Sequence, residues 1–138
     1  MLGPVDFEGK WHLERTIRDN LYGQHGTLVG QAVFSSASPN KLSYDEAGKL
    51  SLEAGGELEA TRRYHWAFQA EEVVVTFADG SPFHQFTPAG HAAGTDHPCG
   101  EDFYQVRYDF MRWPVWTAVW TVHGPRKDYI STSSYQPC

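Results

Sequence analysis

The chain has 138 residues, seventeen acidic against eleven basic side chains, a net charge of −6 and no block of like charge. That length suits one domain, the charge offers no basic stripe for nucleic acid, and no apolar run approaches the roughly 20 residues of a membrane-crossing helix. Disorder is excluded as well, because 41% of the residues are hydrophobic and 14% aromatic.

From its first strand onward the chain alternates apolar with polar residues at period two, and turn residues interrupt the pattern every eight to twelve positions. The first strand spans about 9–19, with Trp11, Leu13, Arg15 and Ile17 on one row. The second carries Leu28, Gly30, Ala32 and Phe34, and Ser38-Pro39-Asn40 ends it. Leu42, Tyr44 and Glu46 form the row of a third strand. Ala47-Gly48 reads as a tight hairpin into a short strand over 49–53, closed by Gly55-Gly56. Residues 58–68 place Ala60, Arg62, Tyr64, Trp66 and Phe68 on one face. A strand over 73–77 meets Asp79-Gly80, the strongest hairpin signal in the sequence, and returns over 82–87. An irregular stretch, 88–101, precedes strands at 102–110, 115–123 and 128–135.

No helix of more than a turn or two is expected, and nothing divides residues 1–138 into separate domains. Eight phenylalanines, seven tyrosines and five tryptophans equal the leucines, valines and isoleucines in number, a mixture that suits pleated, half-buried surfaces. Consecutive hairpins favour a meander, and a meander of this many strands leaves two bare edges unless it closes. The predicted fold is therefore all-β, an antiparallel up-and-down barrel of about 8–10 strands.

The Gly9-Lys10-Trp11 triplet resembles the Gly-x-Trp signature of lipocalins and the wider calycin superfamily. The resemblance implies a structural closure in which a late arginine, here Arg126, packs over Trp11 and ties first strand to last. An indole face under a guanidinium contributes about 0.5–2 kcal/mol. The fuller pattern is similar to a family of single calycin-like barrels of unknown function from bacteria and fungi. Tyr44-Asp45-Glu46-Ala47-Gly48, Arg63-Tyr64-x-Trp66, Phe77-Ala78-Asp79-Gly80, His97-x-Cys99-x-x-Asp102-x-Tyr104 and Gly124-Pro125-x-Lys127-Asp128-Tyr129 carry it. That family implies a fold and no activity. The chain departs from true lipocalins in lacking a helix after the barrel and a secretion signal; its start, Met1-Leu2-Gly3-Pro4-Val5-Asp6, points to the cytoplasm.

Charged residues share the apolar rows: Arg15, Glu46, Arg62, His84 and Asp102. An isolated charge is costly to bury, so such groups are paired, solvated or occupied by a ligand. In one reading Arg15 and Arg62 aim at an anionic group in an interior pocket. Tyr64, Tyr104 and Tyr108 then add hydroxyls, and Trp66 and Trp120 add flat walls. In the other, the two arginines pair with Glu46 and Asp102 and fill a core without ligand. His84 is either a general acid or base or a core histidine bonded to a tyrosine or aspartate. The face of the last strand stays open between Lys127/Tyr129/Ser131 and Arg126/Asp128/Ile130, and Ser131–Ser134 reads as a polar strand end. His91, His97 and Cys99 have a loose zinc-like spacing without a partnering pair, so no metal and no cofactor are expected. Cys99 and Cys138 are expected as free thiols.

Together these observations point to an intracellular barrel binding a small anionic or amphipathic molecule, with no nucleic-acid or membrane partner. They are compatible with a homodimer. The alternatives are a cofactor-free lyase, isomerase or decarboxylase acting on a carboxylic acid, and a protein-interaction module.

Overall fold

Wherever the sequence alternates with period two, the backbone is extended. The computed structural model describes residues 1–138, with one helical turn, α1 (Pro4–Phe7), ahead of eleven strands. These are β1 (Gly9–Asp19), β2 (Gln24–Ser38), β3 (Lys41–Leu52), β4 (Glu57–Gln69), β5 (Glu72–Phe77), β6 (Pro82–Phe86), β7 (His91–Ala93), β8 (His97–Cys99), β9 (Asp102–Arg112), β10 (Val115–Gly124) and β11 (Lys127–Pro137). Sheet order is β6-β5-β4-β3-β2-β1-β11-β10-β9-β7, with β8 also paired to β9. Every pairing is antiparallel, and β1 joins β11 from Trp11 opposite Pro137 to Asp19 opposite Tyr129. The result is a nearly closed up-and-down barrel, which removes the bare edges an open meander would leave.

Two local expectations are corrected. Ala47-Gly48 is not a hairpin, and β3 runs unbroken through it. Gly48 stands opposite Gly30 on β2, and a Cβ on Gly30 would collide with the Ala47 carbonyl. The two glycines let neighbouring backbones press together where the sheet is pinched, a use of strand glycine that resembles a turn when read from sequence. The stretch 88–101 is also more ordered than expected. Its two three-residue strands, β7 and β8, cover the free edge of β9. Between them Thr95 N–H donates to the Gln85 carbonyl (2.9 Å) and Gln85 N–H to Thr95 Oγ1 (3.0 Å), which ties this strip to β6 and closes the seam.

The barrel's two ends differ. At one, α1 inserts Phe7, fully buried, among Phe34, Trp66, Phe68, Phe110, Trp113 and Trp116, at ring separations of 5.0–6.0 Å. The Trp11 indole N–H donates to the Phe7 carbonyl at 2.7 Å, and the ring packs on Trp113 and Trp116. Trp11 thus closes this end, but without Arg126. That residue is exposed in the two-residue turn between β10 and β11, at the opposite end of the barrel from Trp11. The strand register alone forbids their contact. The second end is ringed by turns and has no helical plug.

Candidate functional site

Inward-facing residues one, two and three strands apart meet at mid-barrel. Arg15 on β1 donates Nη1 and Nη2 to the two oxygens of Glu46 on β3, at 2.7 and 2.9 Å, and Nε to Ser133 Oγ on β11 at 2.7 Å. Tyr44, two positions before Glu46 and so on the same face, donates its hydroxyl to Glu46 Oε1 (2.6 Å). With that proton committed, the Tyr135 hydroxyl donates to Tyr44 Oη (2.8 Å). Both charges are about 4% exposed. Burial opposes ionisation of Glu46, but the Arg15 hydrogen bonds and charge, the Tyr44 hydroxyl and the Arg62 charge outweigh it and hold the carboxyl below its ordinary range. Burial likewise opposes the Arg15 charge, and Glu46 with the flanking tyrosines reverses that. Tyr44, Tyr108 and Tyr135 are all pushed up, chiefly by burial.

Toward the unplugged end the groups are looser. Arg62 on β4 lies over the Trp120 ring at 5.0 Å and makes no ion pair. Half-buried and opposite Glu46 in the β3–β4 register, it feels that carboxylate's charge but is the one inward arginine without a direct ion pair. Tyr64 is raised by burial, with Arg62 opposing that shift. Asp102 does not reach Arg62. It pairs with Lys127 (3.3 Å), whose Nζ also donates to the Tyr104 hydroxyl (2.9 Å). Tyr104 packs edge-on to Phe83 and Trp120 and against His97.

Between centre and mouth lies a small cavity. Its wall includes Arg15, Glu46, Tyr64, Trp66, His84, Tyr108 and Trp120, seven of the ten pocket residues expected from the sequence. Arg62, Asp102 and Tyr104 lie outside it, toward the mouth. The free space for the centre of a water-sized sphere is about 20 Å³, enough for about one water. Most of the interior is filled by rings: Trp66 sits 4.8 Å from Phe34, and Tyr108 stacks 4.0 Å from Phe86. His84 Nε2 is 2.9 Å from the Tyr108 hydroxyl, a core histidine bonded to a tyrosine. Burial, with His97 adding to it, pushes its pKa down to about 3, so it is neutral at physiological pH.

The remaining lining residues are Tyr44, Val75, Phe83, Trp116, Ala118 and Tyr135. Tyr44 shares its row with Glu46, and Trp116 and Ala118 share theirs with Trp120, so alternation carried the signal. Tyr135 and the buried Ser131 and Ser133 were hidden by the open face of the last strand, which the structure resolves as Tyr129, Ser131, Ser133 and Tyr135 inward. Phe83 and His84 are adjacent yet both buried, because an irregularity in the β5–β6 register breaks strict alternation there. His91 pairs with Asp109 (3.7 Å), His97 packs on Phe77 and Phe83, and Cys99 is exposed; no three His, Cys, Asp or Glu side chains converge as a metal would need.

Fold and site together define an antiparallel barrel with one plugged end, a saturated polar centre and an aromatic, cationic mouth. Residues 7–137 match the family of unknown function DUF6314, and the chain belongs to that family. No curated protein matches it in sequence. Among solved structures it is similar to the S-type phycobiliprotein lyase CpeS from Guillardia theta, with a TM-score of 0.65 at 8% identity over 96% of this chain and 87% of that one. A protein of unknown function from Nostoc punctiforme, of the DUF3598 family, superposes with a TM-score of 0.61 at 11% identity. That match covers 98% of this chain but only 48% of the other, so the barrel spans about half of that protein. A de novo designed fluorescence-activating barrel matches over the full length of both chains, with a TM-score of 0.51 and 12% identity. At such identities the likeness is one of fold. No helix is long and apolar enough to cross a membrane.

Proposed function

We propose that this chain is one calycin-like barrel domain, cytoplasmic, that binds a small planar organic anion at its unplugged end. The acid group seats on Arg62, and the flat body lies against Trp120 with Tyr64 and Tyr104 beside it. One observation carries this reading. Arg15, Glu46 and Asp102 all have ion-pair partners, whereas Arg62, half-buried and stacked on an indole, has none. A guanidinium held on a ring offers its fork to two oxygens without a further ordering cost. The Arg15–Glu46 pair, which the sequence also offered as a grip, is spent on itself and serves as the floor. The small free volume confines the ligand body to the mouth.

The fold neighbours include a lyase of phycobiliproteins and a barrel designed to activate fluorescence. They support the use of this shape for small molecules and contribute no residue roles. A cofactor-free enzyme would need a proton-carrying group beside the anion. Glu46 is locked by Arg15 and Tyr44, and His84 stays neutral, so neither favours that reading.

Titration of intrinsic tryptophan fluorescence with benzoate, cinnamate and indole-3-acetate tests the proposal. Saturable quenching by at least one acid is expected, lost in Arg62→Ala and retained in Arg126→Ala. Absence of any response at millimolar acid, or equal affinity in Arg62→Ala, would overturn it.

A further inference from the structure

Two polar groups on residues of the small cavity are left unpaired by the protein itself. His84 Nδ1 and the Trp116 indole Nε1 are buried without a partner, and both side chains line that cavity. His84 is 5% exposed and Trp116 1%. Such orphans are rare in a folded interior, because each forfeits its hydration without compensation. A third, His65 Nδ1, belongs to the outward row of β4 and lies elsewhere.

The Tyr108 hydroxyl has one hydrogen-bond neighbour within the protein, His84 Nε2. We assign the tyrosine as the donor, since the reverse direction would leave its own proton unpaired as well; His84 is then the neutral tautomer with its proton on Nδ1. An indole nitrogen is always a donor. Both orphans are consequently N–H groups, and what they require is an acceptor. Two of the tyrosine hydroxyls on the cavity wall are already committed, Tyr44 to Glu46 and Tyr135 to Tyr44. The free space, about 20 Å³, admits one oxygen-sized atom and no ring.

Resting on the proposal of an anion held at Arg62, we infer that the ligand is bifunctional. Its acid group stays at the mouth, and a neutral acceptor oxygen at its other end, a carbonyl of the aldehyde, ketone or amide class, enters the cavity to accept from His84 Nδ1–H and Trp116 Nε1–H. An anionic oxygen is the poorer guest there, since neutral donors alone do not offset the burial of a charge. The acid therefore faces outward and the carbonyl inward.

A matched pair of probes tests this. In 4-formylbenzoate and 4-vinylbenzoate the acid and the flat body are alike, and only the first ends in an acceptor oxygen. The wild-type chain is expected to bind the aldehyde about tenfold more tightly. The preference is expected to fall below about twofold in His84→Phe and in Trp116→Phe. Equal binding of the two probes overturns the acceptor inference, with a lone trapped water as the cavity's occupant, and leaves the Arg62 reading standing. Binding of neither probe removes that reading, and this inference with it. Should the variants fail to fold, nitrogen-15 shifts of the wild-type protein suffice. A proton on His84 Nδ1, with the Trp116 indole resonance moving only for the aldehyde, is the expected result. A proton on Nε2 overturns the assignment of two donors.

Discussion

The centre of the barrel and its mouth are built from the same residue types on the same inward rows, yet they are finished differently. At the centre, one arginine, one glutamate, two tyrosines and a serine complete one another's hydrogen bonds within 2.6–2.9 Å. At the mouth, a second arginine rests on an indole without a direct ion pair, and a lysine divides itself between Asp102 and Tyr104. Depth accounts for the difference. A buried charge has to be neutralised by the protein, whereas one near solvent can be left for something else to neutralise. Charge inside a barrel therefore does not by itself mark a ligand site; unpaired charge does.

The largest test of that contrast is Glu46→Ala. It strands the Arg15 guanidinium, and the expected loss is about 3–5 kcal/mol, read as a lower denaturant midpoint with an unchanged slope. The double variant Arg15→Met/Glu46→Leu is expected to recover most of it, because the buried pair is replaced by apolar volume. If Glu46→Ala were nearly neutral, the centre would be no more committed than the mouth and the distinction would collapse.

Acid comes next. His84 has a folded pKa pushed down to about 3, against about 6.5 unfolded. Between these values the unfolded chain binds a proton that the folded chain refuses, so stability is complete above about pH 6.5 and falls as pH drops toward 3. The expected slope approaches about 1.4 kcal/mol per pH unit. Glu46, held low, adds its own loss at more acid pH, in the same direction. Urea midpoints measured at pH 7, 5.5 and 4.5 check this, and in His84→Phe the slope above pH 5 should flatten. An unchanged slope in that variant would place the titrating group elsewhere.

The barrel was legible because a half-buried strand writes its two faces into alternate residues, and rows such as Trp11, Leu13, Arg15 and Leu42, Tyr44, Glu46 are buried as alternation required. Partners across strands were not legible. Arg15 could have met Glu46 or a ligand, and only register decides, since β2 separates their strands and the sheet closes behind Arg15 onto Ser133. Asp102 illustrates the opposite failure: its sign matched Arg62, but Lys127 opens β11 next to it. Glycine misled for a related reason. At Gly48 the missing side chain serves close packing against Gly30, and a sequence cannot tell that use from a turn. At 83–84 a local irregularity moved two consecutive residues inside, which no periodic rule anticipates.

At the mouth the expected effects on stability are small, and that is their value. Arg62→Ala removes a cation from an indole face and should shift stability by no more than about 1 kcal/mol, while removing the acid's partner altogether. A variant that keeps its fold and loses its ligand separates binding from architecture, which Glu46→Ala cannot do.

Arg126→Ala is the smallest change of all. The signature resemblance would have this residue clamp Trp11, and its loss would then cost up to about 2 kcal/mol and redden tryptophan emission as that indole met water. The register instead puts Arg126 in an exposed turn at the far end, while Trp11 is held by the Phe7 carbonyl, Trp113 and Trp116. A change within about 0.5 kcal/mol and an unmoved emission maximum are therefore expected. A larger loss would mean that the last strand is shifted along the first, which would also displace Ser133 from Arg15 and undo the saturated centre.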